Sequence, residues 1–202
     1  MIENAKENSQ RVELKDRIIE TASEAFTAHG IKSITMDDIA ASLGISKRTL
    51  YEVFQDKESL LTQCILKRQE EMNAFLAETL ANSKNVLEVI LVCYQRSIET
   101  FHRTNKRFFE DIKKYPKVHS LLKNYRERDS DSTIEFFKMG IKQGIFRDDV
   151  NFAIVNLLVH EQLDLLMNTD ICNKYSFLEV YEAIMFTYIR GISTEKGAKV
   201  KS

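Results

Sequence analysis

The chain has 202 residues, a formal net charge of −1, one proline and six glycines. A chain of this length can bury a substantial core, and its few helix breakers and lack of alternating apolar stretches predict an all-α protein. No apolar run reaches the eighteen or so residues that a membrane span needs, and the N-terminal stretch MIENAKENSQRVELKD is too polar for a secretory signal. We therefore expect a cytoplasmic protein without a membrane segment.

Helix one is predicted to follow a short tail. Residues 1–13 contain little periodic apolar pattern and are expected to form a flexible N-terminal tail. From Leu14 onward, apolar residues recur at intervals of three and four, which is typical of an amphipathic helix. This stripe stops at His29, and Gly30 has the residue type that commonly ends a helix.

Two short helices come next, joined by a turn of three residues. Thr35 is a good N-cap for the first, and Asp38 stands at the offset of a capping box. Gly44 ends this helix, and Ser46 can cap the second. Asp56 is in turn a good N-cap for a long fourth helix, which the pattern extends to about residue 80.

The remaining chain is predicted to be a helical bundle. Its apolar periodicity predicts five more helices, over residues 85–104, 106–115, 117–143, 151–168 and 176–192. The last two are apolar around more than one face, so they are expected to be buried on two sides. One explanation is a homodimer interface formed by 151–168 and 176–192, and the other is a central position in a monomeric bundle.

A pair of cations begins the second short helix. Lys47 and Arg48 share an exposed face with Tyr51, opposite the inward-facing Leu50 and Phe54. Two short helices with a glycine-containing turn are the pattern of a helix-turn-helix, whose second helix enters the major groove of DNA. Residues 1–60 contain eight basic and eleven acidic residues, a local charge of −3, so any contact with DNA must be made by a few placed side chains.

Two further positions suit phosphate binding. Lys57 and Thr35 each stand at the start of a helix, where backbone N–H groups and the helix dipole favour an anion. The alternative for each of these polar residues is an ordinary solvated position on the surface. The sequence alone leaves both interpretations open.

The run ITMDDIAASLGISKRTLYEVFQDKESLL resembles the DNA-binding segment of the TetR family of bacterial transcription regulators, and AFTAHGIKSIT extends this resemblance upstream. The resemblance covers roughly residues 14–62 and implies an all-helical homodimer. By residue-level match, the DNA contacts would come from the groove residues Lys47, Arg48 and Thr49 and from the phosphate-contacting residues Tyr51, Lys57 and Thr35. Glu52 departs from the aromatic or basic residue frequent there, and we expect it to turn toward Arg48.

The resemblance also implies a division of the chain. Residues 14–56 would form the helix-turn-helix DNA-binding domain, and residues 57–202 would bind a small molecule and dimerise. Aromatic residues are frequent between positions 94 and 146, and a cavity between helices of such a bundle suits an apolar or amphipathic ligand. The candidate pocket residues are Phe101, Phe109, Tyr125, Phe137 and His160. Aromatic residues at helical spacing also occur as ordinary core, which is the alternative.

A catalytic or metal-binding role is not predicted. The four histidines show no metal-binding spacing, and there is no glycine-rich phosphate loop. Cys64, Cys93 and Cys172 are far apart and odd in number, which favours buried free thiols over disulfides or a zinc site. We therefore expect no enzyme activity, no cofactor and no metal.

These observations lead to one expected function and two alternatives. The expected function is a ligand-responsive regulator, a repressor, that binds a palindromic DNA operator as a homodimer and is released by a small molecule in the C-terminal domain. The first alternative is an architectural or protein-regulated DNA-binding factor without small-molecule input. The second is a helical lipid or metabolite carrier that has lost DNA binding, against which the retained Lys47, Arg48, Tyr51 and Lys57 argue.

Overall fold

A computed structural model describes residues 2–128, 130–168 and 171–199 of the chain. These residues form twelve α-helices and an isolated antiparallel bridge, which confirms the all-α prediction for this part of the chain. The helices are α1 (Ile2–His29), α2 (Met36–Leu43), α3 (Lys47–Val53), α4 (Lys57–Asn82), α5 (Val86–Arg103), α6 (Lys106–Ile112), α7 (Pro116–Arg128), α8 (Ser130–Lys142), α9 (Phe152–Asn168), α10 (Ile171–Lys174), α11 (Phe177–Ile192) and α12 (Glu195–Lys199). None of these helices is long and apolar enough to cross a membrane.

Helix α1 is longer than the sequence pattern predicts. It begins at Ile2, twelve residues before the predicted start at Leu14, so the segment expected to be a tail is helical from residue 2 onward. The segment contains neither glycine nor proline, and its glutamates, lysine and alanine favour helix. Residues 8–13 are exposed, so intrinsic propensity rather than an apolar stripe accounts for this extension.

The predicted helix over residues 117–143 includes a position that the structure does not describe. The structure has two helices there, α7 and α8, on either side of residue 129, which lies outside the described residues.

The chain divides into two compact units. The first consists of the residues up to Asn73 together with His102–Leu121, and its core is formed by α1, α2, α3, the start of α4 and α6. The side chains at the centre of this core are Ile18, Phe26, Ile39, Leu50 and Leu60. This unit combines the N-terminal helices with a later segment of the chain. The family resemblance implies a domain boundary near residue 56, and that boundary stays a prediction.

Helix α6 is held against the end of α1 by polar contacts. The backbone N–H of Asn105 donates to the carbonyl of Thr27 at 2.8 Å, and its side-chain amide donates to the carbonyl of Ala28 at 3.2 Å. The buried carboxylate of Asp111 accepts from the backbone N–H of Lys32 at 2.8 Å. The last carbonyls of a helix lack intrahelical partners. Asn105 thereby satisfies two of these carbonyls of α1 from about 77 positions further along the chain.

The second unit consists of Ala74–Phe101 and the chain from Leu122 onward. Its core contains Val86, Leu87, Phe146, Phe152 and Ile192, and α9 packs against both α8 and α11. The connection between α8 and α9 pairs with the residues after α11, because the N–H of Arg147 donates to the carbonyl of Ile192 at 2.9 Å.

Candidate DNA-binding interface

The caps of α2 and α3 fix the geometry of the helix-turn-helix. Thr35 and Asp38 form the predicted capping box at the start of α2, and Gly44 ends this helix in a left-handed conformation with φ of 66°. Ser46 caps α3 by accepting from the backbone N–H of Thr49 at 3.0 Å. Asp56 accepts from the N–H of Ser59 at 2.7 Å at the start of α4. The predicted helix ends are therefore confirmed.

The cationic face of α3 points to solvent. The side chains of Lys47 and Arg48 are 61% and 89% exposed, and Tyr51 is 43% exposed. Leu50 and Phe54 are buried on the opposite face, as their spacing predicts. This face carries two cationic side chains and a phenol. Groups of these kinds bind phosphates and base edges in DNA.

Each of the two cations is paired with a carboxylate. The Nζ of Lys47 lies 2.9 Å from Oδ1 and 2.9 Å from Oδ2 of Asp37 in α2, and this hydrogen bond raises the pKa of Lys47. The Nε of Arg48 donates to Glu52 at 2.9 Å, which confirms the expected orientation of Glu52. Asp37 was not among the predicted site residues, because it is ten positions from its partner and only the packing of α2 on α3 brings the two together.

The two threonines of the predicted interface take part in helix caps. The Thr35 hydroxyl donates to Asp38 Oδ2 at 2.6 Å and accepts from the N–H of Asp38 at 3.1 Å. The hydrogen bonds that the Thr35 hydroxyl and backbone N–H donate to the Asp38 carboxylate hold its pKa below the usual value. The Thr49 hydroxyl lies 2.8 Å from that of Ser46. The structure thus places both side chains at helix N-termini, with their hydroxyls engaged in local hydrogen bonds.

The side chain of Lys57 is partly buried. Its Nζ is 5.7 Å from the centroid of the Phe26 ring, a distance at which a cation interacts with a ring face. Burial lowers the pKa of Lys57, and the negative charges of Asp111 and Asp38 oppose this change.

Three of the five candidate pocket residues have described ring contacts, each within its own unit. Phe109 belongs to the first unit and packs edge-on against Phe108. In the second unit, Phe101 contacts Phe177 at 4.1 Å between ring centroids, whereas Phe137 stacks on Phe152 at 4.4 Å. These last two contacts belong to different aromatic groups.

The two remaining candidates, Tyr125 on α7 and His160 on α9, are half-buried. A cleft of about 460 Å³ lies at the α8–α9 connection, and residues such as Phe146, Arg147 and Asp149 line it rather than the five candidates. The location of a ligand site therefore stays a prediction.

The aromatic group around Phe101 includes a polar pair that the sequence did not reveal. The phenol of Tyr94 on α5 donates a short hydrogen bond to Glu182 on α11. Burial and this carboxylate raise the pKa of Tyr94 to about 12. Within the described residues, no group of three or more histidine, cysteine, aspartate or glutamate side chains is arranged to hold a metal ion.

Sequence comparisons agree with the geometry of the N-terminal helices. Residues 18–64 match the family model described as bacterial regulatory proteins, tetR family. The HTH-type transcriptional repressor KstR2 of Mycobacterium tuberculosis is 23% identical over 160 residues, which cover 76% of this chain and 78% of that protein. The HTH-type transcriptional regulator SAB2452 of Staphylococcus aureus is 37% identical over 78 residues, 39% of this chain and 37% of that protein.

Structural comparisons extend the similarity of fold to most of the chain. A transcriptional regulator from Saccharomonospora viridis in complex with choline has a TM-score of 0.71 at 18% identity and covers 91% of this chain and 100% of its own. A TetR-family regulator from Agrobacterium tumefaciens has the same TM-score at 17% identity, with the same coverage. Residues 18–64 thus match the DNA-binding segment of the tetR family of bacterial regulatory proteins, and the fold of most of the chain is similar to that of solved transcriptional regulators.

Proposed function

We propose that this regulator is a repressor that binds a palindromic operator as a homodimer and is released when a small molecule binds in its second unit. The exposed face of α3 is the observation that carries the proposal. Lys47, Arg48 and Tyr51 project together from a short helix whose opposite face is buried. Such a face can enter the major groove while the rest of the first unit remains outside it.

Dimerisation is supported by the outer surface of α9. Ile154, Leu157 and Leu158 are exposed large apolar residues at helical spacing i, i+3 and i+4. An apolar stripe of this kind is typical of a surface that another protein covers. We assign it to a symmetric interface formed by residues 151–168 and 176–192. A two-fold axis would place two α3 helices about one DNA turn apart, ~34–36 Å, or at a multiple of it, and would match a palindromic operator.

Repression and its release are supported by the relatives and by the second unit. KstR2 is named a repressor, and the Saccharomonospora viridis regulator binds choline in its crystal structure. The second unit of this chain carries two aromatic groups that suit an apolar or amphipathic ligand. Helix α4 begins at Lys57 in the first unit and continues into the second, so a shift of α4 is the proposed route of release. The ligand needs a preference of ~1–3 kcal/mol for one state.

DNA binding is tested first, on a duplex selected by the wild-type protein from a random library. The variant Lys47→Ala plus Arg48→Ala should lose most of its affinity in a gel shift. The slope of log affinity against log salt should fall by roughly 0.9 for each phosphate contact removed. Lys67→Ala plus Arg68→Ala is the matched control, because it removes an adjacent Lys-Arg pair from α4 in the same unit. Wild-type affinity of the α3 variant at all salt concentrations would refute the proposed role of α3.

Release is tested on the preformed complex. Small apolar and amphipathic compounds that raise the melting temperature of the free protein should also lower its affinity for the selected duplex about tenfold or more. Compounds that stabilise the protein without changing DNA affinity would contradict ligand-controlled release. That outcome would favour the alternative, a DNA-binding factor without small-molecule input.

A further inference from the structure

The ion pair between Asp37 and Lys47 joins the two helices of the DNA-binding motif. Asp37 lies in the first turn of α2, and Lys47 begins α3. The ammonium contacts both carboxylate oxygens at 2.9 Å, and both side chains are well exposed. Exposed pairs of this kind contribute little to stability, so the contact with Lys47 adds little to folding.

The pair has unused hydrogen-bonding capacity. A carboxylate offers about four acceptor sites and an ammonium offers three donors, so a bidentate contact between them leaves acceptors on Asp37 and a donor on Lys47. The neighbouring Asp38 differs, because one of its oxygens already accepts from both the N–H and the hydroxyl of Thr35. Asp37 instead contacts a side chain of α3, so its remaining acceptor sites lie beside the cationic face of that helix.

We propose that Asp37 contacts a base directly and acts with Lys47 as one recognition unit. Asp37 accepts a hydrogen bond from the N4 amino group of a cytosine in the major groove, while Lys47 donates to O6 or N7 of a neighbouring guanine. Contact with a phosphate is disfavoured for Asp37 because both carry negative charge, so the carboxylate also weakens binding to non-cognate DNA. This inference rests on the proposed operator binding and names a residue of α2, outside the face of α3.

The test compares the DNA sequences selected by wild type and by Asp37→Asn from a random duplex library. Wild type should select a cytosine at one position of each half-site. Asparagine pairs with adenine N6 and N7, so Asp37→Asn should shift this position from cytosine toward adenine by on the order of tenfold. The variant should also bind non-cognate DNA more tightly and with a steeper salt dependence. Circular dichroism checks that the exposed substitution leaves the fold intact.

Glu20→Gln is the matched control, because it removes one carboxylate from an exposed ion pair with Lys67, at 2.7 Å, elsewhere in the same unit. It should leave the selected sequence unchanged. The same base preference in wild type and Asp37→Asn, with only a uniform change in affinity, would overturn the role of Asp37 while leaving operator binding intact. Failure of wild type to select any sequence would overturn the proposed function itself, and this inference with it.

Discussion

Replacing Leu157 with aspartate should convert the protein from a dimer to a monomer. In the isolated chain, Ile154, Leu157 and Leu158 on α9 are 54%, 59% and 46% exposed. Fully burying such a side chain contributes about 1.5–3 kcal/mol, so each residue has roughly 1 kcal/mol still to gain in an interface. Leu157→Asp removes this burial free energy once in each subunit of the dimer. It also places two carboxylates against an apolar surface, and burying each of them costs several kcal/mol. The total of at least ~5 kcal/mol corresponds to more than about a thousandfold in the dimer dissociation constant.

Sedimentation velocity over a range of protein concentrations measures this effect. Val12→Asp is the control, because Val12 is 55% exposed on α1 and lies outside the proposed interface. Wild type and the Val12 variant should sediment as dimers where the Leu157 variant sediments as a monomer. If the Leu157 variant dimerises with wild-type affinity, the exposed stripe of α9 is not the interface and the assignment of residues 151–168 is wrong.

Two further predictions concern packing and charge. In Gly140→Ala the new Cβ would lie 2.1 Å from the Phe146 ring, so the variant should lose roughly 1–3 kcal/mol of unfolding free energy, measured in urea. Gly191→Ala is the control, because its Cβ meets open space, and it should gain up to about 1 kcal/mol. Equal effects of the two changes would contradict the described packing. Glu52→Gln should free Arg48 from its ion pair and steepen the slope of log affinity against log salt, for non-cognate DNA, by up to about 0.9. An unchanged slope would mean that Arg48 contacts no phosphate.

The helix-turn-helix was predictable because its signals are local. A cap and its partner are three residues apart, as Thr35 and Asp38 are, and a left-handed turn favours the glycine found at position 44. The pairing of Glu52 with Arg48 likewise follows from the i, i+4 geometry of one helix. In each case the interacting groups are brought together by a single turn of backbone, which the sequence determines directly.

Contacts between distant segments could not be predicted in this way. The pair of Asp37 and Lys47 depends on how α2 crosses α3, and the hydrogen bond from Asn105 to Ala28 joins residues 77 positions apart. The early start of α1 was missed for a different reason. Residues 8–13 of this helix are exposed and bury no apolar stripe that a periodic pattern could reveal, so only helix propensity indicates the helix there.

The candidate ligand pocket depends on contacts of the same kind and stays a prediction. The spacing of Phe101 and Phe137 identifies apolar helix faces, but it does not indicate which other helix each face meets. In the structure the two rings pack in different groups, one with Phe177 and the other with Phe152. The polar pair of Tyr94 and Glu182 is invisible to periodicity because its members lie 88 residues apart.

The electrostatics of the first unit make the proposed dimerisation important for the proposed operator binding. Residues 1–60 carry a charge of −3, and Lys47 and Arg48 are already paired with Asp37 and Glu52. Cations that are already paired with carboxylates gain less free energy on binding DNA than unpaired cations do, so a single unit should bind DNA weakly. Linking two units makes the second contact intramolecular and can raise affinity by 10²–10⁴ without any new contact. Leu157→Asp should therefore weaken operator binding severely although it leaves every residue of the proposed DNA interface unchanged.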